Sequence, residues 1–377
     1  SARKPARRGQ AVQSSRSFIG LGYRLAMPAT PLRCDIFCAV VDNFGDAAVC
    51  WRLACQLATE YGWRVRLWID DIAPLRRLAP DFATTGVAVL PWPHASRPGA
   101  TGDDVADIVI EAFACDPPAP YVAAMARRTR APVWINLEYL SAEAWVGGCH
   151  GRPSPHPGLP LTKYFFFPGF TPDTGGLLRE RDYEARRAGF DAAAFRAEFG
   201  VPAPASDELL VSMFCYAGAP LEALCQAWAA GPLPVRVLWP GRTEPPQDRG
   251  RLRIHPLPFL PQLRYDELLW SCDLNFVRGE DSFVRAQWAA KPFVWQIYPQ
   301  EADAHLVKLD AFLDCHPAGS SLRAFWHAWN GYGALDWPAF AASLPAQRTA
   351  AGDWARQLGG RPDLATNLVE FCLERVK

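Results

Sequence analysis

From Asp35 onward, short apolar runs alternate with stretches whose apolar residues recur every three to four positions. The run Asp35–Val41 (DIFCAVV) is predicted to be a buried strand. Cys50, Leu53, Ala54, Leu57, Ala58 and Tyr61 then place an amphipathic helix over 46–61. Arg64–Ile69, Val87–Leu90, Ile108–Ile110 and Val133–Ile135 continue as strands, and Tyr164–Phe167 adds one more. Such βαβ alternation implies a parallel sheet covered by helices. A charged, turn-rich stretch follows from Leu177 to about Ser206, with one short helix around 191–199. Alternation then restarts, with strands at Leu209–Phe214, Pro234–Leu238, Leu274–Val277 and Phe293–Ile297. Pro220–Ala229, with Pro in its first turn, and Phe283–Ala290 read as helices between them. From about Asp303 the pattern is mostly helical, and 353–377 holds a closing helix or two.

Two α/β units of similar size predict two Rossmann-like domains facing a central cleft. The boundaries read as an N-terminal domain over 34–184, a linker over 185–206 and a C-terminal domain over 207–352. The helical segment 353–377 is expected to pack back on the N-terminal domain. In open parallel sheets, ligands sit at the carboxyl ends of the strands. The loops after Val41, Phe214 and Val277 are therefore the ones that carry candidate chemistry.

Composition narrows the class further. Lys+Arg and Asp+Glu both total 39 in 377 residues, so no whole-chain field steers the protein toward nucleic acid. No apolar run approaches the roughly 18 residues of a membrane helix. Eleven Cys without a CxxC pair argue against a disulfide scaffold or zinc ribbon and for a reducing cytoplasm. Residues 1–33 hold seven Arg or Lys and no acid. They are expected to be a disordered basic extension, or to reflect only where the chain was started, with Met27 near the natural beginning.

The first candidate loop is Asp42-Asn43-Phe44-Gly45-Asp46, between strand and helix. Asp46 stands where an N-cap belongs, and Gly45 permits a tight turn. The same two carboxylates, at the mouth of a cleft, could hold a cation or accept a proton. No GxGxxG follows the first strand, which argues against a nicotinamide or flavin fingerprint. The second loop is Arg278-Gly279-Glu280-Asp281-Ser282-Phe283-Val284-Arg285. Ser282 is expected to cap the helix, whose N-terminus suits an anion, and Arg278 and Arg285 could add phosphate contacts. Glu280 or Asp281 would then meet sugar hydroxyls. Phe214, Tyr216, Phe259, Gln262 and Tyr265 supply stacking surface and an amide suited to a nucleobase. Asp70-Asp71 reads as a solvated loop.

Several of these segments carry a family resemblance. VDNFGD (Val41–Asp46), WINLEYLSAEAWV (Trp134–Val146), LPLTKYFFFPGFTPDTGGLLRE (Leu159–Glu180), NFVRGEDSFVRAQWA (Asn275–Ala289) and KPFVWQIYPQ (Lys291–Gln300) resemble the elongation factor P arginine rhamnosyltransferases, the EarP family. The resemblance runs from about Arg33 to the C-terminus and departs only at the basic N-terminal arm. It implies an inverting glycosyltransferase of the GT-B fold. Such an enzyme moves L-rhamnose from dTDP-β-L-rhamnose to one arginine of elongation factor P, which acts on ribosomes stalled at polyproline. It implies Asp46 as general base, with Asp42 and Glu280 also required. It places Asn43, Phe44, Gly45, Tyr216, Gln262 and the loop Arg278, Gly279, Asp281 and Ser282 at the nucleotide sugar, with Phe214 and Phe259 lining the base pocket. No metal and no further cofactor are expected, because a helix N-terminus and arginines can stabilise the departing diphosphate. The partners expected are a protein acceptor and a nucleotide sugar, without nucleic acid or membrane. A rhamnosyltransferase acting on a saccharide is the alternative. A nucleotide-sugar epimerase would want the missing GxGxxG, and a binding module would transfer nothing.

Overall fold

The structure, a computed structural model, describes residues 30–42, 44–92, 104–300 and 303–376. Most of the basic extension, and Asn43, lie outside the described residues. The fold begins slightly before the expected boundary, since Leu32 is buried and Arg33 opens the first strand.

The first half builds a sheet from β1 (Arg33–Cys38), β2 (Arg64–Ile69), β3 (Ala88–Pro91), β4 (Ile108–Ala112), β5 (Val133–Leu137), β6 (Pro153–Pro155) and β7 (Thr162–Phe166). Its order is β3-β2-β1-β4-β5-β7-β6, parallel except for the β6 edge. Helices α1 (Gly45–Tyr61), α2 (Ala73–Leu78), α3 (Ala119–Arg127) and α4 (Trp145–Cys149) connect the strands. The predicted β1 ran to Val41, but the ladder stops at Cys38. The Val40 N–H donates instead to Asp70 Oδ1 at 2.9 Å, and the Val41 N–H to Asp46 Oδ2 at 2.8 Å. Carboxylates thus replace the neighbouring strand as acceptors and bend the chain into the loop. Asp70, read as a solvated loop residue, is one of these braces.

The turn-rich connection holds two short helices rather than one, α5 (Tyr183–Ala188) and α6 (Ala192–Glu198). The second sheet comprises β8 (Leu209–Met213), β9 (Val235–Pro240), β10 (Gln247–Arg249), β11 (Leu252–Leu257), β12 (Leu274–Arg278) and β13 (Phe293–Gln296). Its order is β10-β11-β9-β8-β12-β13, again parallel except for one edge strand, β10. Helices α7 (Leu221–Ala230), α8 (Gln262–Ser271), α9 (Asp281–Trp288), α10 (Ala304–Cys315), α11 (Gly319–Trp329) and α12 (Trp337–Gly359) belong to this half. Trp354 and Leu358 of α12 pack in the second core, whereas α13 (Leu364–Leu373) sends Leu364, Leu368 and Val369 into the first. The chain therefore returns to its first half at its end. Among the described residues, no helix is long and apolar enough to cross a membrane.

A buried ionic network joins the halves. Arg52 on α1 contacts Asp266 on α8 at 3.1 Å, Asp281 on α9 at 2.8 Å and Glu180 of the connection at 3.2 Å. Arg285 on α9 binds Asp266 through Nε at 2.9 Å and Nη2 at 2.7 Å, and lies 2.9 Å from Glu180. The two guanidinium groups hold the Glu180 carboxyl far below the usual carboxylate range, against the opposing effect of burial. Arg285 is fully buried here. It is therefore not free to meet a phosphate, contrary to the expectation from its spacing after Ser282.

Candidate active site

The carboxyl ends of both sheets face one another, and the loops after β1, β5, β8 and β12 converge between them. Asp46 does not cap α1. Phe44 occupies the N-cap position without a side-chain bond, and Asp46 Oδ2 accepts the N–H groups of Val41 and Asp42, each at 2.8 Å. The Gly45 N–H closes the turn onto the Asp42 carbonyl at 2.6 Å. A Cβ at Gly45 would stand 2.7 Å from Asp42 Oδ2, so the glycine admits that carboxylate against the helix start.

Asp42 reaches across to the second half. Its Oδ2 accepts the Tyr216 hydroxyl at 2.8 Å. Gly279, at φ +61°, comes so near that a Cβ would lie 2.9 Å from both Asp42 Oδ2 and the Tyr216 hydroxyl. The Trp295 indole N–H donates to the Gly279 carbonyl at 2.7 Å, and the Gln296 amide oxygen accepts the Tyr216 N–H at 2.7 Å. Thus β13 sets the position of both partners.

Glu280, not Ser282, is the N-cap residue of α9. The Ser282 hydroxyl turns back to donate to the Arg278 carbonyl at 2.5 Å and accepts the Arg278 N–H at 3.1 Å, closing the loop on itself. Both Glu280 oxygens accept the Leu140 N–H from the first half, at 3.1 and 3.2 Å. Asp281 is held by Arg52 Nε and, at 3.4 Å, by the Gln262 amide, whose other bond goes to the Ala48 carbonyl at 3.0 Å. Asp281 therefore braces the wall rather than presenting a free carboxylate. The Arg278 guanidinium lies 4.2 Å from the Phe214 ring centroid and 4.5 Å from that of Tyr216, and donates to the Cys215 carbonyl.

Two cavity lobes meet at Asp42, Gly45 and Glu280. The first, about 660 Å³, is lined by Phe44, Phe214, Tyr216, Phe259, Gln262 and the loop residues Arg278, Glu280, Asp281 and Ser282. The Phe44 and Phe259 rings lie 5.1 Å apart, and Arg77 covers Phe259 at 4.1 Å. The second lobe, about 850 Å³, contains Asp46, Phe113, Tyr139, Lys308 and Glu280. Removal from water raises the pKa of Asp42 and of Asp46, with the Tyr216 hydrogen bond opposing it at Asp42 and the two backbone N–H groups opposing it at Asp46. Glu280 is pushed up to about 8, first by burial and then by Asp46 and Asp42, while the Leu140 N–H and Lys308 pull the other way.

The described site residues named from the sequence thus come together around one cleft, with Arg285 the exception. Arg77, Phe113, Tyr139 and Lys308 went unrecognised. Tyr139 lies inside the WINLEYLSAEAWV segment, but nothing in its local pattern marks it as facing Asp46. Among the described residues, no group of three His, Cys, Asp or Glu side chains is placed to hold a metal ion.

Comparison with known proteins agrees with this architecture. Residues 34–373 match the family model described as Elongation-Factor P (EF-P) rhamnosyltransferase EarP. A protein-arginine rhamnosyltransferase of Pseudomonas aeruginosa is 45% identical over 89% of this chain and 98% of its own length. One from Neisseria meningitidis serogroup B is 38% identical over 93% of this chain and all of its own. A solved structure described as the basis for EarP-mediated arginine glycosylation of translation elongation factor EF-P superposes with a TM-score of 0.63. It is 34% identical and covers 90% of this chain and 98% of that one. A spinosyn rhamnosyltransferase complexed with thymidine diphosphate shares the fold at a TM-score of 0.52 and 12% identity. The two sheets are those of a GT-B glycosyltransferase.

Proposed function

Because the chain belongs to the EarP family of EF-P rhamnosyltransferases, and so is a protein-arginine rhamnosyltransferase, we propose that its donor is dTDP-β-L-rhamnose and its acceptor an arginine of elongation factor P, in the cytoplasm. The observation that carries this reading is the junction of the two lobes at Asp42 and Glu280, with an aromatic, Arg-rimmed lobe on one side and Asp46 on the other.

The first lobe is the donor side. Phe214 and Phe259 offer faces to the base, and Gln262 an amide to its polar edge. The diphosphate lies toward Arg278 and the start of α9, whose N–H groups and dipole favour negative charge. Charge that builds on the leaving dTDP is then met by fixed groups, and the reaction proceeds without a metal.

The second lobe is the acceptor side. A guanidinium is a poor nucleophile because its high pKa keeps it protonated. In an inverting displacement, one guanidinium nitrogen bonds to the anomeric carbon as the bond to dTDP breaks, and that nitrogen loses its proton. Asp46 takes the proton. Both loop N–H groups occupy its Oδ2, which leaves Oδ1 as the accepting atom, and its raised pKa makes it the better base. Asp42 supplies the charge that holds and polarises the guanidinium, and Glu280, with its pKa raised to about 8, joins it as the arriving cation draws off its proton.

The test is mass spectrometry of elongation factor P after incubation with dTDP-rhamnose, in buffer with and without excess EDTA. A deoxyhexose gain on a single arginine, undiminished by chelator and lost in Asp46→Asn, is expected. Label appearing on a free saccharide instead would overturn the acceptor. Activity lost in EDTA and restored by Mg²⁺ or Mn²⁺ would overturn the metal-free step.

A further inference from the structure

The loop after β4 holds three non-glycine residues in the left-handed region within four positions: Phe113 at φ 58°, Ala114 at 52° and Asp116 at 48°. A side chain there costs roughly 1–2 kcal/mol per residue relative to the ordinary helical region. Such conformations persist only where surrounding structure dictates them, and they concentrate at functional sites. Here the dictating contacts are visible. The Phe113 N–H donates to the Leu137 carbonyl at 2.7 Å, the Ala114 N–H to Asn136 Oδ1 at 3.3 Å, and the Cys115 thiol to the Phe37 carbonyl at 3.3 Å. The ends of β5 and β1 therefore hold the turn.

The product of that strain is an aromatic pair. The Phe113 and Tyr139 rings stack with centroids 4.4 Å apart and planes 17° from parallel, and both line the second lobe with Asp46 and Glu280. Burial, followed by the charges of Asp46, Glu280 and Asp42, raises the pKa of the Tyr139 hydroxyl, so the ring stays neutral in a lobe that also holds these acidic groups. One cation already lies near this surface: Lys308 Nζ is 5.9 Å from the Tyr139 centroid. A ring face edged by carboxylates suits a flat cation. A guanidinium can stack on the ring while its in-plane N–H fork reaches carboxylate oxygens at the rim. An ammonium has no plane to stack.

We propose that the Phe113–Tyr139 pair is the plate against which the acceptor guanidinium lies, and that it sets the preference for a planar cation. The inference rests on the second lobe being the acceptor side. Tyr139 and Phe113 orient the guanidinium edge toward Asp46 and take no part in moving the proton.

Two measurements on the full chain test the plate. The first is the rate of EF-P rhamnosylation against EF-P concentration, with dTDP binding followed by calorimetry. Tyr139→Leu should lower kcat/KM for EF-P by roughly 3–30-fold, chiefly through KM, with dTDP binding unchanged. Tyr139→Phe should restore most of it, and Phe113→Leu should act like Tyr139→Leu. The second is thermal stabilisation by methylguanidinium compared with methylammonium, which needs neither donor nor EF-P. The wild type should favour methylguanidinium, and Tyr139→Leu should lose that preference. Should Tyr139→Leu fail to fold, Phe113→Leu carries both measurements. Normal KM and an intact methylguanidinium preference in the folded variant would overturn the plate while leaving the acceptor assignment standing. A wild type that transfers nothing to EF-P, yet shows a methylguanidinium preference that the variant loses, would support the plate and remove EF-P as acceptor.

Discussion

Replacing Gly279 by Ala adds one methyl group at the place where the two halves touch through Asp42 and Tyr216. The structure separates its two consequences. The residue sits at φ +61°, so any side chain there incurs roughly 1–2 kcal/mol of backbone strain. The new Cβ would also stand 2.9 Å from both Asp42 Oδ2 and the Tyr216 hydroxyl, which are themselves 2.8 Å apart. The hydrogen bond must lengthen or break, and a bond to a charged acceptor contributes roughly 1.5–3 kcal/mol, or 10–150-fold in a rate that depends on it. Gly62→Ala isolates the first effect, because Gly62 has φ +67° at the end of α1 and no atom within 4 Å of its would-be Cβ. Gly45→Ala isolates the second, since Gly45 lies in the first turn of α1 without a positive φ and its Cβ would meet Asp42 Oδ2 at 2.7 Å. Denaturant unfolding and initial rates of rhamnosylation should therefore split the three variants. Gly62→Ala loses stability alone, Gly45→Ala loses activity together with the stability of that hydrogen bond but without backbone strain, and Gly279→Ala loses activity and the most stability. If Gly279→Ala turned over like Gly62→Ala, the Asp42–Tyr216 contact would have no part in the reaction.

Glu280 makes the pH response specific. With its pKa raised from 4.5 to about 8, it lends stability that is complete below pH 4.5 and lost as pH rises through 8. The loss is bounded by about 5 kcal/mol and reduced by water reaching the cleft. Unfolding free energy measured across this range should fall less steeply in Glu280→Gln, and an unchanged slope would refute the raised pKa. The Arg52 network should be fragile to the loss of one member. Arg52→Met leaves Asp266 buried with fewer partners and should cost about 3–5 kcal/mol by denaturant unfolding, and a cost near zero would mean Arg285 alone satisfies Asp266.

The alternation that revealed both sheets was legible because strands buried on both faces read as unbroken apolar runs. It failed where burial served polar residues. Helix α8 went unseen because its buried side carries Gln262 and Asp266, which a hydrophobic period scores as solvent-facing. Both are buried only because Arg52, Arg285 and the Ala48 carbonyl come from distant parts of the chain to meet them. Strand β11 was hidden similarly, since His255 and Pro256 interrupt its run. The site loops were legible for a different reason: they follow strands, and a parallel sheet puts its ligand there whatever the loops contain. Roles within them were not. Asp46 has the spacing of an N-cap, and its carboxylate instead accepts the Val41 and Asp42 N–H groups and fixes the loop that precedes it. Arg285 has the spacing of a phosphate ligand, and Asp266 takes it into the core. Strain is the least legible feature of all. Nothing in the letters Phe113-Ala114 announces a left-handed turn, because the carbonyl of Leu137 and the amide of Asn136 impose it from another strand. The lobe that holds Phe113 and Tyr139 is therefore written in long-range contacts, whereas the loops after β1, β8 and β12 follow from topology.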